Sequence, residues 1–112
     1  MITTSIKIHP LSVNKCWQGK RFKTKEYEKY ELDLSRLLKK QEIIFGPVRV
    51  RLRFHLKELY RGDLDNLIKP LMDILVKKGY LEDDRKVLKY ELEKVKAKTA
   101  DEYIEIVIEK IK

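Results

Sequence analysis

The sequence predicts an α+β fold, a single small domain over residues 1–112 with one mixed or antiparallel sheet and two main helices. Three observations predict it. Residues 48–56 alternate strictly between apolar and polar side chains, the period of a half-buried strand. Two segments, at 24–41 and near 68–78, carry apolar residues at helical spacing. The other extended segments fall before and after them, giving the order β-α-β-α-β-β. A chain of 112 residues fits one domain.

Taken in order, residues 3–8 read as a short strand that Pro10 ends, because proline has no N–H for a ladder. The stretch from Leu11 to Lys25 has no clean period and reads as a loop. Its basic residues Lys15, Lys20, Arg21 and Lys23 surround Trp17 and Phe22. Such a mixture suits a nucleic-acid backbone and its bases, or a surface loop anchored by two aromatics. A helix follows at 24–41, with Thr24 as N-cap, Glu26 and Glu28 in the first turn, and Tyr27, Tyr30, Leu34, Leu37 and Leu38 on one face. Gly46-Pro47 makes a turn. In the strand at 48–56 the apolar set Val48, Val50, Leu52, Phe54 and Leu56 faces a core. Arg49, Arg51, Arg53 and His55 face the other way, and the arginine row is a candidate for successive phosphates. His55 reads as one more polar residue of that face, with no metal role.

Residues 58–62 form a loop into Asp63. The next helix ends near Lys78, with Gly79 beyond it as the C-terminal stop. Pro70 is best tolerated in a first turn, so the regular helix is predicted to begin near Ile68 or Lys69, leaving Asp63 and Asp65 just before it. Tyr80 to Lys86 is a loop, and 87–96 and 102–111 are strands joined around Thr99-Ala100-Asp101.

The net charge of +8 points to a polyanionic partner such as nucleic acid. Its distribution is uneven. Residues 1–57 hold fourteen Lys/Arg against five Asp/Glu, whereas 58–112 hold twelve against thirteen. One half suits phosphates and the other suits a cation. Cys16 is the only cysteine, which excludes an intrachain disulfide and a cysteine-rich zinc site and fits a reducing cytosol. No apolar run has the length of a membrane span or the form of a signal peptide, so a cytoplasmic protein is expected.

The acidic half holds the chemistry. In an extended Asp63-Leu64-Asp65, residues two apart point the same way, so two carboxylates face one spot. Asp84 joins them if the loop at 80–86 returns to that spot. Three carboxylates with open positions suit Mg²⁺, with Mn²⁺ as a substitute. A bound divalent ion activates water and polarises a phosphoryl oxygen, the two needs of phosphodiester hydrolysis. Lys69 is placed to stabilise developing charge. Each part alone has a plainer reading: Asp63 or Asp65 as a helix cap, Glu82-Asp83-Asp84 as a polar turn, Lys69 as a solvated charge. The absence of a Gly-rich phosphate loop argues against a small-molecule phosphotransferase.

The stretch Arg61-Gly62-Asp63-Leu64-Asp65-Asn66-Leu67-Ile68-Lys69, followed by Gly79-Tyr80-Leu81-Glu82-Asp83-Asp84, resembles the RusA family of Holliday junction resolvases. Pro10-Leu11-Ser12-Val13-Asn14 is similar to that family's N-terminal P-P-S-x-N, with Leu11 in place of the second proline. The resemblance implies a homodimeric, Mg²⁺-dependent endodeoxyribonuclease acting on branched DNA, four-way junctions above all. It implies Asp63, Asp65 and Asp84 as metal ligands and Lys69 as a catalytic group. Asn66 and Asp83 stand beside them as supporting residues. Two alternatives stay open: a less selective branched or flap DNA nuclease, and a non-catalytic basic DNA-binding module.

Overall fold

The computed structural model describes residues 1–19, 22–60, 62–99 and 101–111. The alternating segment forms a strand over the predicted range. In chain order the elements are β1 (Ile2–Ile6), β2 (Trp17–Gln18), β3 (Phe22–Lys23), α1 (Lys25–Leu37), β4 (Val48–Leu56), α2 (Asp65–Lys77), β5 (Val87–Lys96) and β6 (Tyr103–Lys110). The main sheet has the order β1-β6-β4-β5, with β4 antiparallel to β6 and parallel to β5. It is therefore mixed, and β5 and β6 are separated by β4 although they follow each other in the chain.

Period two in β4 sorts its side chains as expected. Val48, Val50, Leu52, Phe54 and Leu56 are buried and join Ile104, Ile106 and Ile108 of β6 and Ile2 and Ile6 of β1. Leu34 of α1 and Leu71 and Leu75 of α2 complete one core on that side. On the other face Arg49, Arg51 and Arg53 lie in register with glutamates on the flanking strands: Glu109 on β6, and Glu91 and Glu93 on β5. The ion pairs measure 3.6, 2.8 and 3.1 Å. The arginine row is thus charge-compensated rather than bare. His55 shares this face but is buried, stacked on Tyr103 at 3.9 Å and hydrogen-bonded to Glu105.

Several boundaries differ from the sequence expectation. β1 stops at Ile6, short of Pro10. The stretch 11–25 is not all loop: Ser12 caps a single turn at Val13–Lys15, and β2 pairs antiparallel with β3. These pieces are too short to show a period. Thr24 caps α1 by accepting the Tyr27 N–H at 3.1 Å, but the helix ends at Leu37, because Leu38 turns extended to bury its side chain.

The largest correction concerns α2. It begins at Asp65, not at Ile68 or Lys69, and Pro70 lies inside it. Asn66 N–H donates to the Asp63 carbonyl at 3.2 Å and Leu67 N–H to the Leu64 carbonyl at 3.1 Å. These three-residue bonds wind the chain before Pro70, whose ring removes only one later bond, and Pro70 itself is buried. Asp65 is consequently a helical residue.

Glu31 ties three elements together. Its carboxylate binds Lys23 of β3 at 2.7 Å and Lys77 of α2 at 2.9 Å. Burial raises its pKa, but the two ammonium groups outweigh that and hold it below the ordinary value. A carboxyl lowered in the folded state stabilises above its unfolded pKa, and that contribution fades as pH falls through the folded one. Glu31→Gln is expected to cost about 1 kcal/mol at neutral pH, with the difference closing in acid. Urea unfolding of both proteins between pH 7 and 3 checks this, and a pH-independent difference is the contrary result.

Candidate active site

The site grows from the head of α2. Asp65, Lys69 and Asp73 follow at intervals of four, so they line one edge of the helix. Lys69 Nζ lies 2.9 Å from Asp73 Oδ1 and 3.1 Å from Asp84 Oδ2. These bonds, to Asp73 first and Asp84 second, keep the Lys69 ammonium charged well above the ordinary lysine range. Asp84, beyond the end of α2, thus reaches back to that helix at the lysine that the sequence singles out.

The three neighbouring acids at 82–84 have three separate jobs. Glu82 accepts the Gly46 N–H. Asp83 caps the turn at Asp84–Lys86 by accepting the Arg85 N–H at 3.0 Å. Its carboxyl is lowered to about 2 by that backbone bond, then by the side chains of Asp84 and Arg85. Asp84 alone turns to Lys69. The distinction between Asp83 and Asp84 drawn from the motif therefore has a structural basis: one carboxylate holds the backbone and its neighbour meets the lysine.

Capping, the plainer reading of Asp63 and Asp65, is not what the structure adopts. Leu64 occupies the cap position of α2, in a helical conformation and with no side-chain cap bond. Asp63 lines a cavity of about 530 Å³ instead, together with Ser12 and Asn14 of the N-terminal motif and Lys15 beyond it. Asn66 supports Asp63 through its backbone N–H on the Asp63 carbonyl.

Lys69, Asp73 and Asp84 are brought together and Asp65 sits one turn before Lys69, whereas Asp63 lines a cavity that none of these four residues lines. Among the described residues, no three His, Cys, Asp or Glu side chains are gathered into a finished metal-binding set. The donor chemistry nevertheless fits a hard divalent ion, because every acidic group here offers carboxylate oxygen. In this arrangement Lys69 supplies the positive charge between Asp73 and Asp84.

The candidate DNA contacts divide. Lys15 is exposed at the rim of the Asp63 cavity. Lys23 is committed to Glu31 and lies over the Tyr27 ring at 5.3 Å. Trp17 packs edge-on to Tyr27 at 5.7 Å, whereas Phe22 is 73% exposed. Lys20 and Arg21 lie outside the described residues. Sequence reasoning missed Asp73, although its spacing from Lys69 was legible. It also missed Tyr90 of β5, whose phenol is raised by burial and then by the Asp84 carboxylate. Tyr90 pairs in register with Val50 and so shares its face of the sheet, at the edge where it stays 38% exposed. No local pattern shows that proximity.

The mixed sheet and the carboxylate–lysine edge of α2 define an α+β domain suited to phosphate-ester chemistry. The chain belongs to the endodeoxyribonuclease RusA family, whose family model matches residues 10–109. It is 33% identical over 92 residues to crossover junction endodeoxyribonuclease RusA of Escherichia coli strain K12, an alignment covering 77% of each chain. The same identity and coverage relate it to the crossover junction endodeoxyribonucleases RusA of Shigella sonnei strain Ss046. Those values hold equally for the enzyme of that name from Enterobacteria phage 82. Membership places the chain among the endodeoxyribonucleases.

Asp73→Asn removes the first of the two bonds that raise Lys69. The Lys69 pKa is expected to move down toward the ordinary lysine value. Titration of the Lys69 side-chain NMR signals reads this directly, and an unmoved midpoint would reject Asp73 as a partner in solution.

Proposed function

We propose that this chain is a Mg²⁺-dependent endodeoxyribonuclease that resolves four-way DNA junctions by paired symmetric nicks in recombination and repair. The observation that carries the reading is the contact of Lys69 with Asp84 at 3.1 Å, which joins the two acidic segments across fifteen positions of sequence. The family and its crossover-junction relatives support the substrate.

In this reading Asp63, Asp65 and Asp84 hold the ion. The ion supplies a lowered pKa for water and polarisation of the phosphoryl oxygen. Lys69 stabilises charge gathering on the phosphate, and its carboxylate bonds keep it protonated for that task. Asp83 and Asn66 hold the local backbone, so the reactive carboxylates keep their places.

Lys15 and Lys23, with Lys20 and Arg21, hold phosphates near the site. Arg49, Arg51 and Arg53 contribute only by exchanging a glutamate for a phosphate. A homodimer places two identical sites across a pseudo-twofold junction. Such a protein works in the cytoplasm, on the DNA found there.

The test is a mobile four-way junction incubated with the protein, with and without Mg²⁺, and the nicks mapped. Symmetric nicks that require the ion are expected; equal cutting of junction, flap and linear duplex would reject resolution as the function. Asp63→Asn and Asp84→Asn are each expected to abolish cutting while junction binding survives. Lys69→Ala is expected to slow cutting about 100-fold or more with binding retained. Full turnover in any of these variants would remove that residue from the site.

A further inference from the structure

We propose that Lys94 is a positioning residue that fixes the backbone delivering Asp63. The proposal rests on the reading of Asp63 as a metal ligand. Lys94 stands in β5 opposite Phe54, and Lys96 opposite Leu56. Residues paired in a parallel register share a face, so both lysines point to the side that β4 fills with apolar core. Lys94 is half-buried at this edge and Lys96 exposed, and each takes carbonyl partners.

Lys94 finds them in the loop between β4 and α2. Its Nζ donates to the Leu59 carbonyl at 3.1 Å and to the Gly62 carbonyl at 2.5 Å. Lys96 Nζ takes the Lys57 carbonyl, and Ala97 N–H takes the Leu56 carbonyl at 2.8 Å. Edge strand β5 and the residue after it therefore hold the end of β4 at Leu56 and the loop at Lys57, Leu59 and Gly62. The Lys57, Leu59 and Gly62 carbonyls lie outside helices and strands and would otherwise depend on water.

The last bond matters most for the site. Gly62 has φ +81°, a left-handed conformation that reverses the chain immediately before Asp63. Lys94 grips the carbonyl on one side of Asp63. The first turn of α2 grips the other side, through Asn66 N–H on the Asp63 carbonyl. Asp63 is thereby pinned between β5 and α2, and loss of the Lys94 donors releases one of the two anchors.

The experiment compares the wild-type full chain with Lys94→Met, which keeps the apolar stem, and Lys94→Arg, which keeps donors. Amide hydrogen exchange at Leu59–Asp63 is expected to speed up about tenfold in Lys94→Met and to return most of the way in Lys94→Arg. The Mg²⁺ concentration for half-maximal junction cutting is expected to rise about tenfold in Lys94→Met, with junction affinity unchanged. Unchanged exchange in Lys94→Met overturns the proposal. So does a loss of junction affinity without faster exchange, which would make Lys94 a DNA contact. Should Lys94→Met fail to fold, Lys94→Gln, too short to reach both carbonyls, is read by the same outcomes. A wild-type protein that never cuts with Mg²⁺ defeats the nuclease reading, while the exchange comparison still decides whether Lys94 holds the loop.

Discussion

Lys69 Nζ lies within hydrogen-bonding distance of Asp73, one turn further along its own helix, and of Asp84, which enters from beyond the helix. That shared ammonium joins Asp84 to α2, while the buried side chains of Tyr80 and Leu81 anchor the segment at 80–86. It also sets the electrostatic state of the region. One lysine meets two carboxylates directly, Asp83 pairs with Arg85, and Asp65 sits one turn away. Negative charge is in local excess in a protein whose overall charge is +8. A helix edge with such an excess attracts a cation more strongly than a neutral one does, and a divalent oxygen-seeking ion is the natural counter-charge.

The opposite sign is handled differently. Strand β4 carries three arginines on the face away from the core, but each lies in register with a glutamate. These pairs are half-exposed, so each contributes little to stability. Their effect is to compensate much of the positive charge on that face. The basic surplus that remains lies mainly among the lysines of the N-terminal half, and Lys15 stands at the rim of the Asp63 cavity. Long-range attraction of DNA and local attraction of a metal therefore arise from different parts of one small domain.

The fold was legible where a period was long enough to read. The nine alternating residues of β4 and the apolar faces of α1 and α2 gave the α+β class and most of the core. What was not legible depends on pairing in space. Nothing local in 87–96 shows that β5 runs parallel to β4, and without that register the glutamate partners of Arg51 and Arg53 stay hidden. The head of α2 was misread because Pro70 is a strong helix-breaking signal. The Asn66 and Leu67 bonds that wind the chain ahead of it are backbone bonds, which no side-chain pattern reveals. For the site, the motif distinguishes Asp84 from Asp83, and in the structure Asp83 caps a turn while Asp84 meets Lys69. Asp73 was one helical turn from a residue already singled out. Tyr90 and Lys94 could be found only after β5 was placed.

The residues of the candidate site share one topological unit. Parallel strands need a crossover, and here the crossover between β4 and β5 is α2 with its two flanking loops. The loop before α2 carries Asp63, the helix carries Asp65, Lys69 and Asp73, and the loop after it carries Asp84. The returning strand carries Tyr90 and Lys94. α2 must bury Leu71 and Leu75 against the sheet, which leaves its Asp65–Lys69–Asp73 edge free to meet Asp84. The same parallel pairing sends β5 past the loop that began at the end of β4, so Lys94 and Lys96 can hold that loop. A single crossover thus generates both the charged edge and the strand that braces it. Helix α1 packs into the same core beside α2, and Glu31 ties it to β3 and to α2.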